Sequence, residues 1–222
     1  LAAPLLDLTA RVDSYWERGL VGVAVHPDFP RTPHLFVLYV AAQPYPHHVL
    51  SRFVMLGDTA QVDSEQVLLE SDDQSKRGGK HPAGHQGGPL RFGPDGKLYV
   101  ALGEPIIPSD GECTSQKLDT LSGKILRLNA DGSIPADNPF YTQTTGKYRA
   151  IWAIGLRNPF GLAFQPETGR LFETDVGQTS WEEVNEIVRG GNYGWPLAEG
   201  VCTNAAFKNP LHAYPPVIGR SI

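Results

Sequence analysis

The sequence predicts an all-β fold made of repeated four-stranded units arranged around an axis. Glycine (24) and proline (19) are abundant among the 222 residues, and only 19% are charged, which is typical of short strands joined by turns. Three segments share one pattern: a short apolar strand, a turn containing proline, and an alternating strand. They begin at Gly22, Pro89 and Gly161, roughly 70 residues apart. This repetition favours the radial blades of a β-propeller over a sandwich.

The remaining elements are assigned from local patterns. Apolar runs predict further strands at Val49–Leu56, Gly123–Asn129 and Tyr148–Gly155,. Ser180–Val188 begins with a capping-box pattern, so we expect a short turn of helix on a loop between strands,. The chain begins without a preceding hairpin and stops where another strand is about to start, and its length corresponds to about three to four blades.

Composition restricts the classes of partner and compartment. The net charge is −5 and no long run of Lys or Arg occurs, so nucleic acid is not an expected partner,. No stretch approaches the roughly 18 to 20 continuous apolar residues that cross a bilayer. Cys113 and Cys202 lie in polar loop sequence; either they are free thiols of a cytosolic protein, or they form a disulfide. We favour the disulfide, and with it a periplasmic or extracellular location.

The segment Gly84–Glu104 carries the first candidate for chemistry. His85 precedes a Gly-Gly pair, where the main chain can approach a ligand closely, and Glu104 follows the second strand of the same hairpin,. Two strands joined by a tight turn place their outer ends side by side. His85 and Glu104 are therefore predicted to be a base and its orienting carboxylate, against the alternative of a surface histidine in a flexible loop.

Two further segments carry polar groups at strand ends. Arg157 and Asn158 follow an apolar strand and precede a proline, which interrupts regular pairing,. Arg157 is thus placed to bind an anion or a quinone oxygen rather than a surface carboxylate. Asp175–Pro196 offers the carbonyls of Gly177 and Gln178 and the carboxylates of Glu182 and Glu183. These oxygens suit calcium, although a solvated acidic loop has the same composition.

Taken together, the motifs resemble the soluble glucose and sorbosone dehydrogenases that depend on pyrroloquinoline quinone (PQQ), also called aldose sugar dehydrogenases. The resemblance extends over almost the whole chain and is carried by GLVGVAVHPDF, HQGGPLRFGPDGKLYVALGE, LSGKILRLNADGSIPADNPF, GLRNPFGLAF and EEVNEIVRGGNYGWP. It implies a six-bladed β-propeller with PQQ across the top of the central axis. It also implies oxidation of the anomeric carbon of an aldose to a lactone, by hydride transfer to calcium-bound PQQ.

The resemblance assigns a role to each candidate residue. His85 resembles the general base, and Glu104 stands where the family usually has an orienting Asp. Arg157 resembles the arginine near the quinone oxygens, and Asn158 a cofactor-contacting asparagine. Gly177 and Gln178 match the main-chain carbonyls that bind the calcium of the cofactor. Glu183 and the main chain around Tyr193 resemble a second, structural calcium site. Glu17 lies near the cofactor, at a position where the glucose enzymes have glutamine.

The resemblance also implies that residues 1–222 are a partial propeller domain, without the first-blade segment and the last blades. In the family those later blades supply the lysine and arginines that bind the PQQ carboxylates. The expected partners are a sugar substrate and an external electron acceptor. Two alternatives stay open: a non-catalytic binding module similar to hedgehog-interacting protein, and a calcium-dependent lactonase in which the metal activates water.

Overall fold

A computed structural model of the chain describes residues 4–76, 83–104 and 113–219. Within these ranges, twelve strands form three four-stranded antiparallel sheets, and each sheet is a meander in chain order. We call the sheets blades 1, 2 and 3. Blade 1 contains β1 (Leu20–Val25), β2 (His34–Ala41), β3 (His47–Leu56) and β4 (Thr59–Glu70); blade 2 contains β5 (Gly87–Phe92), β6 (Leu98–Leu102), β7 (Lys124–Leu128) and β8 (Ile151–Ile154); blade 3 contains β9 (Pro159–Phe164), β10 (Leu171–Asp175), β11 (Glu182–Ile187) and β12 (His212–Tyr214).

The three repeated hairpins of the sequence are the first two strands of each blade. They are β1–β2, β5–β6 and β9–β10, all antiparallel. Strand β5 packs against both β1 and β9, so the first strand of every blade lies toward a shared centre. The predicted fold is confirmed: the chain forms part of a β-propeller, and the described residues contain three blades.

The middle strands contribute to two hydrophobic cores at once. In β6, Leu98 and Val100 belong to the core shared with blade 1, where they join Phe36. Tyr99, which lies between them, packs in a second core with Leu171 of blade 3. Successive side chains of a strand point to opposite faces, so β6 is buried on both faces, which explains its continuous apolar sequence.

The inner strands of blades 1 and 2 approach so closely that only glycine fits between them. A Cβ atom on Gly22 would lie 2.0 Å from the carbonyl oxygen of Gly88, and one on Gly88 would lie 2.4 Å from the carbonyl oxygen of Val21. Real Cβ contacts are never this short. The two main chains therefore pack directly against each other at the centre of the propeller.

Two expectations from sequence are not met. The predicted helical turn at Ser180–Val188 is wrong, because β11 occupies most of this segment and pairs with both β10 and β12. Its residues 183, 185 and 187 are buried while 184 and 186 are less so, and this two-residue period outweighs the local capping-box pattern. The structure does not support the predicted disulfide either, since Cys113 and Cys202 are both free thiols. Across the described ranges, no helix has the length and apolar character needed to span a membrane.

Blade 3 contains a buried group of acidic side chains between β10 and β11. The amide of Asn185 donates to Glu173 and to Glu183, at 3.2 Å each. Burial raises the pKa of Glu173 well above its usual value, and the negative charges of Asp175 and Glu183 raise it further. Burial, with the charge of Glu183, also raises the pKa of Asp175 to about 7. Because these carboxyl groups are buried and close together, it is unfavourable for all of them to be ionised in the folded state.

Replacement of Gly22 by alanine tests the contact between the inner strands. The added methyl group would overlap the Gly88 carbonyl, so we expect Gly22→Ala to lower the free energy of unfolding by about 1–3 kcal/mol. Urea denaturation measures the change. Gly219→Ala is the matched control because the nearest atom to its Cβ would be 3.7 Å away. Equal stability of the two variants would contradict the packing described above.

The acidic group predicts a pH dependence of stability. Because the pKa of Glu173 is raised on folding, its contribution to stability is complete below the ordinary pKa of 4.5 and is lost as pH rises through the raised value,. With a chelator present, the free energy of unfolding should fall between pH 5 and pH 8, by at most about 1.4 kcal/mol per pH unit from one group.

Glu173→Gln removes this titration and should give a shallower fall over the same pH range. Thermal and denaturant unfolding at each pH provide the comparison. Glu167→Gln, in the exposed turn between β9 and β10, should retain the wild-type dependence. If the two variants showed the same dependence on pH, buried Glu173 would not be its source.

Candidate active site

A cleft of about 820 Å³ opens at one end of the inner strands. Residues that precede β1, β5 and β9 reach it, as do residues that follow β10, because β10 runs antiparallel to β9 and ends on the same side. Among its lining residues are six of the predicted site residues: Glu17, His85, Arg157, Asn158, Gly177 and Gln178. The fold therefore brings together residues that the sequence separates by up to about 160 positions,.

His85 is held in a strained conformation at the start of blade 2. Its φ of 53° lies in the left-handed region, which is uncommon for a residue other than glycine,. The main-chain N–H donates to Glu17 at 2.6 Å, and the ring Nδ1 lies 2.8 Å from the carbonyl oxygen of Glu104. A carbonyl can only accept, so this contact places the ring proton on Nδ1 and the lone pair on Nε2. Neutral His85 is thereby in the tautomer that a general base requires.

Glu104 contacts His85 through its main chain rather than through its side chain. We expected its carboxylate to orient the imidazole, but the carboxylate is 1% exposed and accepts the N–H groups of Thr114 at 3.0 Å and Ser115 at 3.2 Å. The Thr114 hydroxyl also donates to it. These residues begin a 3₁₀ turn, Thr114–Gln116, whose first N–H groups need an acceptor. The carbonyl of Glu104 thus orients the imidazole, and its carboxylate anchors the neighbouring turn.

Arg157 is fixed at both its main chain and its side chain. Its N–H donates to the Asp175 carboxylate at 2.8 Å, and its Nη1 donates to the carbonyl of Val176 at 2.8 Å. The guanidinium carbon lies 5.4 Å from the centre of the Trp195 ring, within the range of a cation–π contact. Burial lowers the pKa of Arg157, while nearby carboxylates, first of all Asp175, oppose that change. An arginine remains cationic under these conditions.

Asn158 connects blade 3 to blade 2. Its N–H donates to Asp175 at 2.6 Å, and its side-chain oxygen accepts the N–H of Gly87 at 3.0 Å. Gly87 is two residues after His85, so this bond ties the arginine loop to the histidine loop. Asp175 therefore positions both Arg157 and Asn158, the two residues that precede β9 and line the cleft.

Gly177 and Gln178, which follow β10, both line the cleft. The N–H of Gly177 donates to Glu182 at 3.1 Å, and the N–H of Gln178 donates to Glu199 at 2.7 Å. Glu182, one of the possible calcium ligands, therefore accepts a bond from this loop. A Cβ at position 177 would lie 1.7 Å from the carbonyl oxygen of Trp181, so glycine is required there.

The donor chemistry of this loop fits a hard cation. Carbonyl oxygens are common calcium ligands. In the described part of the chain, no group of three or more His, Cys, Asp or Glu side chains is arranged to hold a metal ion. Main-chain carbonyls such as those of Gly177 and Gln178 could supply ligands to a cation in the cleft.

Glu183 and Tyr193, the predicted second calcium site, lie outside the main cleft. Both line a separate, smaller cavity of about 10 Å³, which shares Arg157, Val176 and Gly177 with the lining of the cleft. The Glu183 carboxylate accepts the N–H of Gly200 and the amide of Asn185. The hydroxyl of Tyr193 donates to the carbonyl of Glu186 at 2.6 Å, which leaves the main chain of Tyr193 as the source of a ligand.

Two residues that organise the site were not identified from the sequence. Asp175 is buried at the end of β10. The signal available in the sequence was an acidic residue at a strand position that faces the protein interior. Glu199 lies 21 residues after Gln178, and no local spacing connects the two. Other lining residues, such as Phe160 and Pro216, were missed because their side chains carry no chemistry that a sequence pattern marks.

Sequence comparison finds relatives that are named as sugar dehydrogenases. Quinoprotein glucose dehydrogenase B of Acinetobacter calcoaceticus is 34% identical over 210 residues, which cover 85% of this chain and 42% of that protein. Aldose sugar dehydrogenase of Escherichia coli is 32% identical over 212 residues, which cover 95% of this chain and 54% of that protein. The chain thus spans about half the length of these relatives. Human hedgehog-interacting protein is 32% identical over 177 residues, which cover 70% of this chain and 24% of that protein.

Solved structures show the same similarity. The PQQ-bound form of aldose sugar dehydrogenase from Streptomyces coelicolor superposes with a TM-score of 0.74 and 30% sequence identity, covering 95% of this chain and 57% of that one. The family model described as "Glucose / Sorbosone dehydrogenase" matches residues 3–221, nearly the full length of the sequence. The chain therefore belongs to the glucose/sorbosone dehydrogenase family.

Proposed function

We propose that the protein is an oxidoreductase that oxidises the anomeric carbon of an aldose to a lactone, with calcium-bound PQQ as the electron acceptor. The observation that carries the proposal is the convergence of His85, Arg157 and the carbonyl loop at Gly177 and Gln178 on one cleft. The names of the relatives, which include a quinoprotein and a PQQ-bound enzyme, point to the same chemistry.

The residues of the cleft fit the cofactor that this function requires. Its volume of about 820 Å³ is within the range of small-molecule and cofactor sites. Within the described ranges, Arg157 Nε is buried without a hydrogen-bond partner, so the guanidinium retains a donor for an added acceptor. Arg157, Asn158 and Glu17 would contact PQQ, and the carbonyls of Gly177 and Gln178 would bind its calcium.

The side chains have complementary roles in the reaction. When bound, calcium-coordinated PQQ supplies the oxidant that accepts a hydride from the anomeric carbon. His85 removes the proton of the anomeric hydroxyl at Nε2, because Nδ1 is committed to the Glu104 carbonyl,. Arg157 stabilises negative charge on the quinone oxygens through its fixed cationic group. Loss of the hydride and the proton converts the C–OH group into the carbonyl of the lactone.

The proposal includes the wider setting of the enzyme. An external acceptor, such as a quinone, a cytochrome or a dye, would take up the electrons after each turnover. Glu183 and the main chain of Tyr193 would bind a second, structural calcium. We further propose a periplasmic or extracellular location, which rests on the resemblance to the family alone because Cys113 and Cys202 are free thiols.

His85→Ala tests the assignment of the base. With PQQ, calcium and a panel of aldoses supplied, we expect dye reduction by the variant to be about 10²- to 10⁴-fold slower than by the wild type, with PQQ binding largely retained. The matched control is His212→Ala, an exposed histidine of β12 that should leave the rate unchanged. Unchanged turnover in His85→Ala would remove His85 from the mechanism.

The same assay separates the alternative functions. Dye reduction that requires both PQQ and calcium supports the dehydrogenase. Turnover of lactones or esters without dye reduction would indicate the calcium-dependent hydrolase. Absence of both activities would favour a binding module, which is the role suggested by similarity to hedgehog-interacting protein.

A further inference from the structure

The loop after β10 directs five successive main-chain N–H groups at carboxylates. The N–H of Gly177 donates to Glu182. The next four all point at one oxygen, Oε1 of Glu199, with distances of 2.7 Å from Gln178, 3.2 Å from Thr179, 3.2 Å from Ser180 and 3.3 Å from Trp181. A single carboxylate oxygen is thus the common acceptor for one whole turn of the chain.

This arrangement constrains the carbonyl groups of the same loop. In a trans peptide the N–H and the C=O point in opposite directions. The N–H of Gln178 shares its peptide unit with the carbonyl of Gly177, and the N–H of Thr179 shares its unit with the carbonyl of Gln178. Both carbonyls must therefore point away from Glu199.

The residues that line the two cavities show on which side of the loop Glu199 lies. Glu199 lines the small cavity, whereas Gln178 and Thr179 line only the main cleft. Gly177 lines both, so the loop runs between the two cavities. Glu199 therefore lies behind the loop, and peptide units that point their N–H groups back at it turn their oxygens toward the cleft. These are the oxygens to which the proposed function assigns the calcium of the cofactor.

Glu199 is itself held rigidly. The N–H of Ala198 donates to the carbonyl of Gly194 at 2.9 Å, which closes a turn just before Glu199. Gly200 follows with a φ of 78°, and a Cβ there would lie 2.4 Å from the Trp181 ring. The N–H of Gly200 is bound by Glu183. The main chain is therefore fixed on both sides of Glu199 before any ligand binds.

We propose that Glu199 is a positioning residue that pre-orients the carbonyls of Gly177 and Gln178 for a calcium ion, an inference that rests on the proposed function of this loop. Without Glu199, four main-chain N–H groups lose their hydrogen-bond acceptor, and the peptide units rotate toward other acceptors. Arg157 interacts electrostatically with Glu199, which offsets part of the negative charge of Glu199. The property that the proposal assigns to Glu199 is the set of hydrogen bonds accepted by its Oε1.

Calcium titration of the PQQ-free protein by calorimetry tests this inference without any catalytic assay. We expect Glu199→Ala to raise the Kd for calcium about 10- to 100-fold, as for residues that orient metal ligands. Glu199→Gln keeps an accepting oxygen without the charge, so its Kd for calcium should stay closer to that of the wild type than to that of Glu199→Ala. Glu167→Ala, which removes an exposed carboxylate of the same blade, is the control and should bind calcium as the wild type does.

Amide hydrogen exchange in calcium-free protein provides the second readout. The amides of residues 178–181 should exchange faster in Glu199→Ala than in the wild type, and Glu199→Gln should restore most of their protection. Wild-type affinity and exchange in Glu199→Ala would overturn the proposal. So would a Glu199→Gln variant as weak as Glu199→Ala, or a wild-type protein that does not bind calcium.

The outcome is separable from that of the proposed function. If calcium binding depends on Glu199 but no aldose is oxidised, the positioning role stands and the dehydrogenase proposal fails. If PQQ-dependent oxidation occurs and the Kd for calcium does not change in Glu199→Ala, the dehydrogenase proposal stands and the positioning role of Glu199 fails.

Discussion

Main-chain N–H groups in the loops around the cleft depend on carboxylates as their hydrogen-bond acceptors, because few of them pair with a neighbouring strand. An N–H group removed from water needs an acceptor, and an ionised carboxylate can accept several bonds. Six acidic residues act in this way: Glu17, Glu104, Asp175, Glu182, Glu183 and Glu199. The shape of each loop therefore depends on an acidic side chain, often from a distant part of the chain.

This constraint separates the groups that support the site from the groups that face a ligand. His85, Arg157, Gly177 and Gln178 line the cleft. The acidic side chains around them mainly accept hydrogen bonds from main-chain N–H groups of the loops. Asp175 shows the cost of this arrangement: burial raises its pKa to about 7, yet its two bonds order both Arg157 and Asn158.

Much of the architecture was predictable because its causes are local. Each hairpin combines a two-residue alternation with a turn that contains proline, so β1–β2, β5–β6 and β9–β10 were located correctly. The predicted helix at Ser180–Val188 failed because its capping-box pattern is also local, whereas β11 is stabilised by pairing with β10 and β12. Such pairing is invisible in a nine-residue window.

The blades, the family and the residues at the strand ends were predictable from the sequence. Alternation, turn chemistry and motif order act over a few residues, and strand ends meet wherever blades share a centre. The contacts that these residues make depend on the folded chain. The carbonyl of Glu104, rather than its carboxylate, contacts His85, and Glu199 reaches four amides beginning 21 residues earlier. Hydrogen bonds of this kind depend on where distant loops come to lie, and no spacing along the chain specifies that.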